Sequence, residues 1–246
     1  MPLSRIIQVY RDWRYVSLLV NLLGLLLIEP LIWDHAAARI LFNVLFSVVT
    51  LTAMLSLSYE RSQRRLLLGL GGICLAAAVI ENFLVGPAHG VALVVSRLCG
   101  TAFFFYAVAR VLADIADERR MRADSLAGAA AGYLLLGVGW GLLFVAVERF
   151  APGSFHLAEH FADRATEAEL TDLMLYYSFV TLTTLGYGDI SPVTPAACTL
   201  AWVEAVTGQF YIAIVVAGLI SVLVSNRNFA AGDSAPGEHT GGGDPR

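Results

Sequence analysis

The sequence predicts an all-α membrane protein of six transmembrane helices, with a shorter re-entrant helix and a glycine-bearing loop between the fifth and the sixth. Three observations carry that prediction. The 246-residue chain is 57% hydrophobic with a mean hydropathy of +0.69, above the roughly half apolar usual in soluble domains. Several uncharged runs approach the ~20 residues that a bilayer core requires of a helix. The segment "TLTTLGYGDISP", residues 181–192, then breaks the pattern with two glycines, several hydroxyls and an acid.

Charged residues mark the spans. The first is expected over 15–32, between Arg14 and Asp34, and the second over 40–59, between Arg39 and Glu60. The third covers 66–85, carries Glu81 near its end and stops at Gly86-Pro87. The fourth covers 91–113, the fifth 126–147 and the sixth 196–225. The chain thus divides into a cytoplasmic N-terminal segment (1–14), a four-helix block (15–113), a cytoplasmic linker (114–125) and a C-terminal module (126–225). Within that module lie an outer helix (126–147), a turret (148–170), a short helix (171–183), the loop (184–188) and an inner helix (196–225). Residues 226–246, rich in Gly, Pro and Ser, read as a disordered cytoplasmic tail.

Arginine placement sets the orientation. Arg5, Arg11, Arg14, Arg61, Arg64, Arg65, Arg119, Arg120 and Arg122 fall on one side of the six spans, with Arg110 and Arg227. The other side has Arg39, Arg149 and Arg164 among a surplus of acids. The positive-inside rule puts both termini in the cytoplasm and brings the 181–192 segment in from the outer face. All 16 basic residues are arginine, a bias that suggests a GC-rich bacterial source and so an inner-membrane location. Cys74, Cys99 and Cys198 lie in apolar runs, and an odd count there argues against a disulfide framework or a zinc site. No short apolar core with a cleavage site opens the chain, so no removable signal is expected. A nucleophile–base set, an HExxH motif and a phosphate loop are all missing, which argues against an enzyme and implies no cofactor and no nucleic-acid partner.

The short helix "TDLMLYYSFVTLT" covers roughly 20 Å at 1.5 Å per residue, too little to span. It should enter part-way and hand over to "TLGYG". Non-helical backbone at membrane depth is tolerated only where protein buries it or where it lines water. Gly186 and Gly188 supply backbone angles that other residues adopt reluctantly, so successive carbonyls can turn toward one axis. With four copies around that axis, the carbonyls of Thr184, Leu185, Gly186 and Tyr187 and the Thr184 hydroxyl would form oxygen rings replacing the hydration of a monovalent cation. The negative C-terminal end of the short helix would favour the same charge.

"TLTTLGYGD" closely resembles the selectivity filter of potassium channels, and the order outer helix, short helix, loop and inner helix extends that resemblance across 126–225. It implies a pore domain whose filter, Thr184, Leu185, Gly186, Tyr187 and Gly188, binds K⁺ as the permeant ligand. It also implies a fourfold-symmetric homotetramer surrounded by membrane lipids, because one chain supplies one filter strand. Leu185 stands where valine is usual, but its carbonyl rather than its side chain would face the ion. Thr183, Asp189, Tyr176, Tyr177, Val180 and Glu204 are the candidate filter supports. Val180 occupies a position where some members have a glutamate bonded to the acid after GYG, so Asp189 lacks that partner. Tyr176 and Tyr177 match positions often held by bracing tryptophans; plain core packing is the alternative. Glu204, a carboxylate in the outer half of a spanning helix, calls for a partner; Thr181 or Thr183 is the expected one, with protonation or contact with the outer water as the alternatives.

In the inner helix, Gly208 and Gly218 are the candidate hinges, with close helix packing as the alternative for either. Gln209, Ile212, Val216 and Ile220 share a stripe expected to line the inner cavity, and apolar residues near Val224 could close its mouth by dewetting. The fourth span has only Arg97 and Arg110, thirteen residues apart. One charge crossing 100 mV is worth about 2.3 kcal/mol, which argues against a conventional voltage sensor. Arg97 is expected to pair with Glu81, and Arg110 to snorkel. In the turret, His156, His160, Asp163 and Glu167 would share a helical face, a candidate divalent site or pH sensor against the alternative of a solvated surface. The competing readings are a weakly selective or atypically voltage-gated cation channel and, from another class, a potassium-uptake transporter or regulatory membrane subunit.

Overall fold

The computed structural model describes residues 13–28, 46–54, 61–81, 87–117, 123–162 and 167–232. In chain order these form α1 (Arg14–Ile28), a helical segment α2 (46–54), α3 (Arg61–Glu81), α4 (Pro87–Asp117) and α5 (Ala123–Phe150). There follow β1 (Phe155–Leu157), the single turn α6 (Glu159–Ala162), α7 (Glu167–Leu182), β2 (Ile190–Pro192) and α8 (Pro195–Gly232). Among the described residues three helices are long and apolar enough to cross a membrane: Ala88–Ile115, Ser125–Phe150 and Pro195–Val215. Arg14–Leu27 and Arg65–Ala77 are shorter apolar helices. The first, second and third expected spans lie partly outside the described residues.

Several boundaries differ from expectation for readable reasons. α4 begins at Pro87 rather than near residue 91, because proline's fixed φ and missing N–H suit the first turn of a helix. α8 passes residue 225 and ends at Gly232. The stretch "NRNFAA" that follows Ser225 contains no helix breaker, and the first glycine after it is Gly232. The expected linker is shortened by α4 running to Asp117 and α5 starting at Ala123, and α7 starts at Glu167 within the predicted turret. The rest of the predicted tail lies outside the described residues.

α5 is the central helix, in contact with α1, α4, α7 and α8. Its apolar surface is almost continuous, and two of its glycines let α7 come close. A methyl group added at Gly137 would sit 2.5 Å from the Phe179 ring, and one at Gly141 would sit 3.0 Å from the Leu175 backbone, both on α7. This i, i+4 pair of small residues sets how near the short helix lies to its support. On the other flank Phe103, Phe104 and Phe144 are fully buried. Phe104 meets Phe46 of α2 edge-on at 5.5 Å, and Phe105 meets Trp140 at 5.3 Å. α1 buries the helical stripe Tyr15, Leu18, Leu22 and Leu25, and Asn21 donates to the Thr52 hydroxyl at 3.0 Å.

Asp114 gathers one end of this block. It accepts a hydrogen bond from the Tyr15 hydroxyl at 2.7 Å and forms ion pairs with Arg14 at 3.3 Å and Arg110 at 3.2 Å. Arg110 therefore does not simply snorkel. An acid one helical turn further on captures its guanidinium instead. The side chain of Glu81, the expected partner of Arg97, lies outside the described residues.

Alanine at Gly137 forces the Phe179 ring aside, and overpacking of this kind costs about 1–3 kcal/mol. Gly137→Ala is expected to lower the thermal unfolding midpoint of the purified protein. Gly72→Ala, at a helical position with open space around it, should leave the midpoint unchanged or raise it slightly.

Candidate functional site

The site begins where α7 stops. Thr184 has φ +60°, its N–H donates to the Thr181 carbonyl at 2.9 Å, and the Leu185 N–H reaches back to the Val180 carbonyl at 2.9 Å. This pair of bonds around a left-handed residue is a Schellman cap, a motif that usually places glycine where Thr184 stands. The Gly186 N–H adds a longer contact of 3.3 Å to the same Val180 carbonyl. Val180 thus supports the loop through its backbone, while its side chain is buried.

Beyond the cap the backbone alternates in hand. Thr184, Gly186 and Gly188 have φ of +60°, +59° and +79°, while Leu185 and Tyr187 between them do not have positive φ. In an ordinary strand successive peptides face opposite ways; alternating left- and right-handed residues turn successive carbonyls the same way. Glycine takes these angles without penalty, and the threonine takes one at a cost of about 1–2 kcal/mol. Among the described residues none donates a hydrogen bond to the carbonyls of 184–188. Leu185 and Tyr187 are 55% and 67% exposed in the single chain, so their side chains are largely uncovered by their own fold.

Asp189 leaves the loop held from several directions. The Tyr176 hydroxyl donates to its Oδ2 at 2.5 Å, the Ile190 N–H to its Oδ1 at 3.0 Å, and the Ala158 N–H to its carbonyl at 2.9 Å. Strand β2 then pairs antiparallel with β1, setting Phe155 opposite Pro192 and Leu157 opposite Ile190. Tyr176 therefore contacts the acid after the loop. Tyr177 does not: it is buried between Phe144 and Phe155, with ring centroids at 5.1 and 5.2 Å, and serves the core.

Glu204 of α8 is fully buried, at 0% exposure, and its partner is not the one expected. The Ser178 Oγ lies 2.5 Å from Glu204 Oε1 and 2.7 Å from the Gly137 carbonyl oxygen. One hydroxyl thereby joins α5, α7 and α8 behind the loop. The Thr183 hydroxyl instead donates to the Phe179 carbonyl of its own helix at 2.6 Å. Below this junction the Tyr133 hydroxyl donates to the Leu182 carbonyl at 3.2 Å, and the Tyr211 hydroxyl to the Ala129 carbonyl at 2.7 Å. Gly208 lies against the same place: an added methyl group would fall 2.5 Å from the Leu182 carbonyl. That contact accounts for a glycine at 208 by close approach, whereas Gly218 has open space around it.

The buried face of α8 runs through Ala197, Ala201, Glu204, Gly208 and Tyr211, at helical spacing. Gln209 and Ile212 lie on exposed positions of the same helix, with Trp202, Val206 and Phe210. The side chains of Val216, Ile220 and Val224 are outside the described residues. In the turret, His156 belongs to β1, and His160 lies in α6 with its ring 4.1 Å from that of Phe161. Among the described residues no group of three or more His, Cys, Asp and Glu comes together to hold a metal; Asp163 and the side chain of Glu167 lie outside them. The sequence reading gives no role to Ser178, Tyr133 or Tyr211, and no sign of the left-handed φ of Thr184. Only the polar character of Ser178 opposite a buried acid offered a signal.

Ser178→Ala strips the buried Glu204 carboxyl of its partner, which costs about 1–3 kcal/mol, read as a lower unfolding midpoint. Thr183→Ala removes only a bond within its own helix, and its effect on the midpoint is expected to be smaller.

Neither the curated proteins nor the solved structures contain a match to this chain. Residues 133–225, from the middle of α5 through the capped loop into α8, match a family model described as "Ion channel", and over that stretch the chain is similar to the ion-channel family.

Proposed function

We propose that the chain is a potassium-selective channel: a homotetramer that passes K⁺ passively down its electrochemical gradient. The observation that carries this reading is the run of alternating backbone hand from Thr184 to Gly188, which leaves a row of carbonyls without donors among the described residues. Around a fourfold axis, the carbonyls of Thr184, Leu185, Gly186 and Tyr187 and the Thr184 hydroxyl make successive rings of oxygen. A dehydrated cation entering these rings exchanges its water ligands for preformed dipoles. The negative end of α7 points into the same region.

Other features support the same reading. The match to the ion-channel family spans the segments that build the site. The exposed apolar face of α8, with Trp202, Val206, Phe210 and Ile214, suits contact with further copies and with lipid. Gln209 and Ile212 would face the water-filled cavity below the rings. The proposed topology has six spans in the bacterial inner membrane with both termini in the cytoplasm, the pore domain following a four-helix block. No cofactor is needed, and K⁺ is the only ligand. Arg110, paired to Asp114, is fixed within the helical block, which fits a channel without a conventional voltage sensor.

Purified full-length protein in liposomes is expected to carry K⁺ with a reversal potential set by the K⁺ gradient rather than the Na⁺ gradient, and to cross-link as a tetramer. Gly186 has φ +59°, so Gly186→Ala introduces about 1–2 kcal/mol of strain per chain, repeated in four chains. K⁺ flux is expected to fall by tenfold or more, since each 1.4 kcal/mol is about tenfold. Equal Na⁺ and K⁺ permeability, or undiminished flux through Gly186→Ala, would overturn the proposal.

A further inference from the structure

We infer that the β1–β2 ribbon is an outer brace for the filter, its Ala158 amide a fastener on Asp189 separate from the Tyr176 contact described above. This rests on the proposed channel function and assigns the turret strand a positioning role in conduction. The need for a brace follows from the loop itself. Its inner end is fixed by the cap on α7, but its outer end is Gly188, the residue type freest to rotate. Whatever holds Asp189 therefore decides whether the upper carbonyls stay in line.

Asp189 is held through its carboxylate by Tyr176 at 2.5 Å and through its carbonyl by Ala158 at 2.9 Å. The second fastener is only as firm as β1, which is anchored in turn. The Glu148 carboxylate, near the end of α5, accepts the N–H groups of Gly153 at 2.8 Å and Phe155 at 3.0 Å. The Phe155 side chain is buried against Phe144 at 5.4 Å and Tyr177 at 5.2 Å. At the other end of the ribbon the Val193 N–H donates to the Ser154 carbonyl at 2.8 Å. A continuous path of contacts thus leads from α5 through the turret to the residue after the filter.

A two-stranded ribbon of three residues per strand is marginal alone, so it persists only while both its ends are held. Ions in the oxygen rings hold one of them. By linkage, K⁺ occupancy and ribbon formation must strengthen each other.

Hydrogen exchange of the full-length tetramer in lipid, in K⁺ and in N-methylglucamine, tests this. The Ala158 amide is expected to exchange several-fold more slowly in K⁺. Ala158→Pro removes the donor to Asp189, Val193→Pro removes the bond at the far end of the ribbon, and Tyr176→Phe removes the other fastener. Each is expected to raise the external K⁺ needed for half-maximal flux roughly two- to tenfold, the worth of one hydrogen bond, with flux restored at high K⁺. Gly72→Ala, at an open helical position outside the pore module, should conduct like the wild type. Should the proline variants fail to assemble, the exchange experiment on the wild type decides alone. The brace is overturned by turret exchange indifferent to K⁺, or by variants with unchanged K⁺ dependence in a protein that Gly186→Ala still silences. A wild-type protein that passes no K⁺ would instead remove the channel function itself.

Discussion

Backbone carbonyls from Thr184 to Gly188 that no donor within the described fold satisfies are the constraint on which the rest of the molecule depends. Water and secondary structure ordinarily meet this demand, and in a bilayer an unmet polar group is costly. A loop that keeps these oxygens free and aligned can persist only if something else coordinates them. In the proposed channel a monovalent cation shared by several chains would meet the demand, and the strain of Thr184 in the left-handed region fits that proposal. Its φ both ends α7 and begins the alternation.

Much of the C-terminal half is arranged around that loop. Gly137 and Gly141 bring α7 within contact of α5, so the helix that carries the loop is seated by packing rather than by long side chains. Ser178 and Glu204 join three helices behind it, where one polar contact in a dry setting is worth more than it would be near water. Tyr133 and Gly208 meet at the Leu182 carbonyl, one donating to it and the other making room for it. A displacement of α8 at Gly208 would therefore reach the base of the loop directly. In the N-terminal half, Asp114 ties α1 to the end of α4 just ahead of the segment leading into α5.

The parts legible in the sequence are those governed by local rules. Uninterrupted apolar runs foretold α4, α5 and α8, and glycines at 186 and 188 foretold a loop with unusual backbone angles. At Thr184 the sequence points to the hydroxyl and the carbonyl but not to the φ, since threonine gives no sign of a left-handed position. The β1–β2 ribbon was not foreseen because three residues are too few to show alternation. Glu204 was recognised as needing a partner, but which side chain meets it depends on how α7 and α8 rotate against each other, and Ser178 won over Thr181 and Thr183. Arg110 near the end of the fourth span is expected at the membrane edge, but Asp114, one turn further along α4, pairs with it. The composition of the whole tail hides how far α8 extends, because its first residues contain no breaker.

The coordination of a dehydrated ion by these carbonyls is tested most directly by diffraction from crystals grown in thallium, a heavy stand-in for K⁺. The account predicts a single file of anomalous peaks on a fourfold axis, level with the oxygens of Thr184, Leu185, Gly186 and Tyr187. Crystals with no such file, or with the ions bound away from these carbonyls, would contradict it.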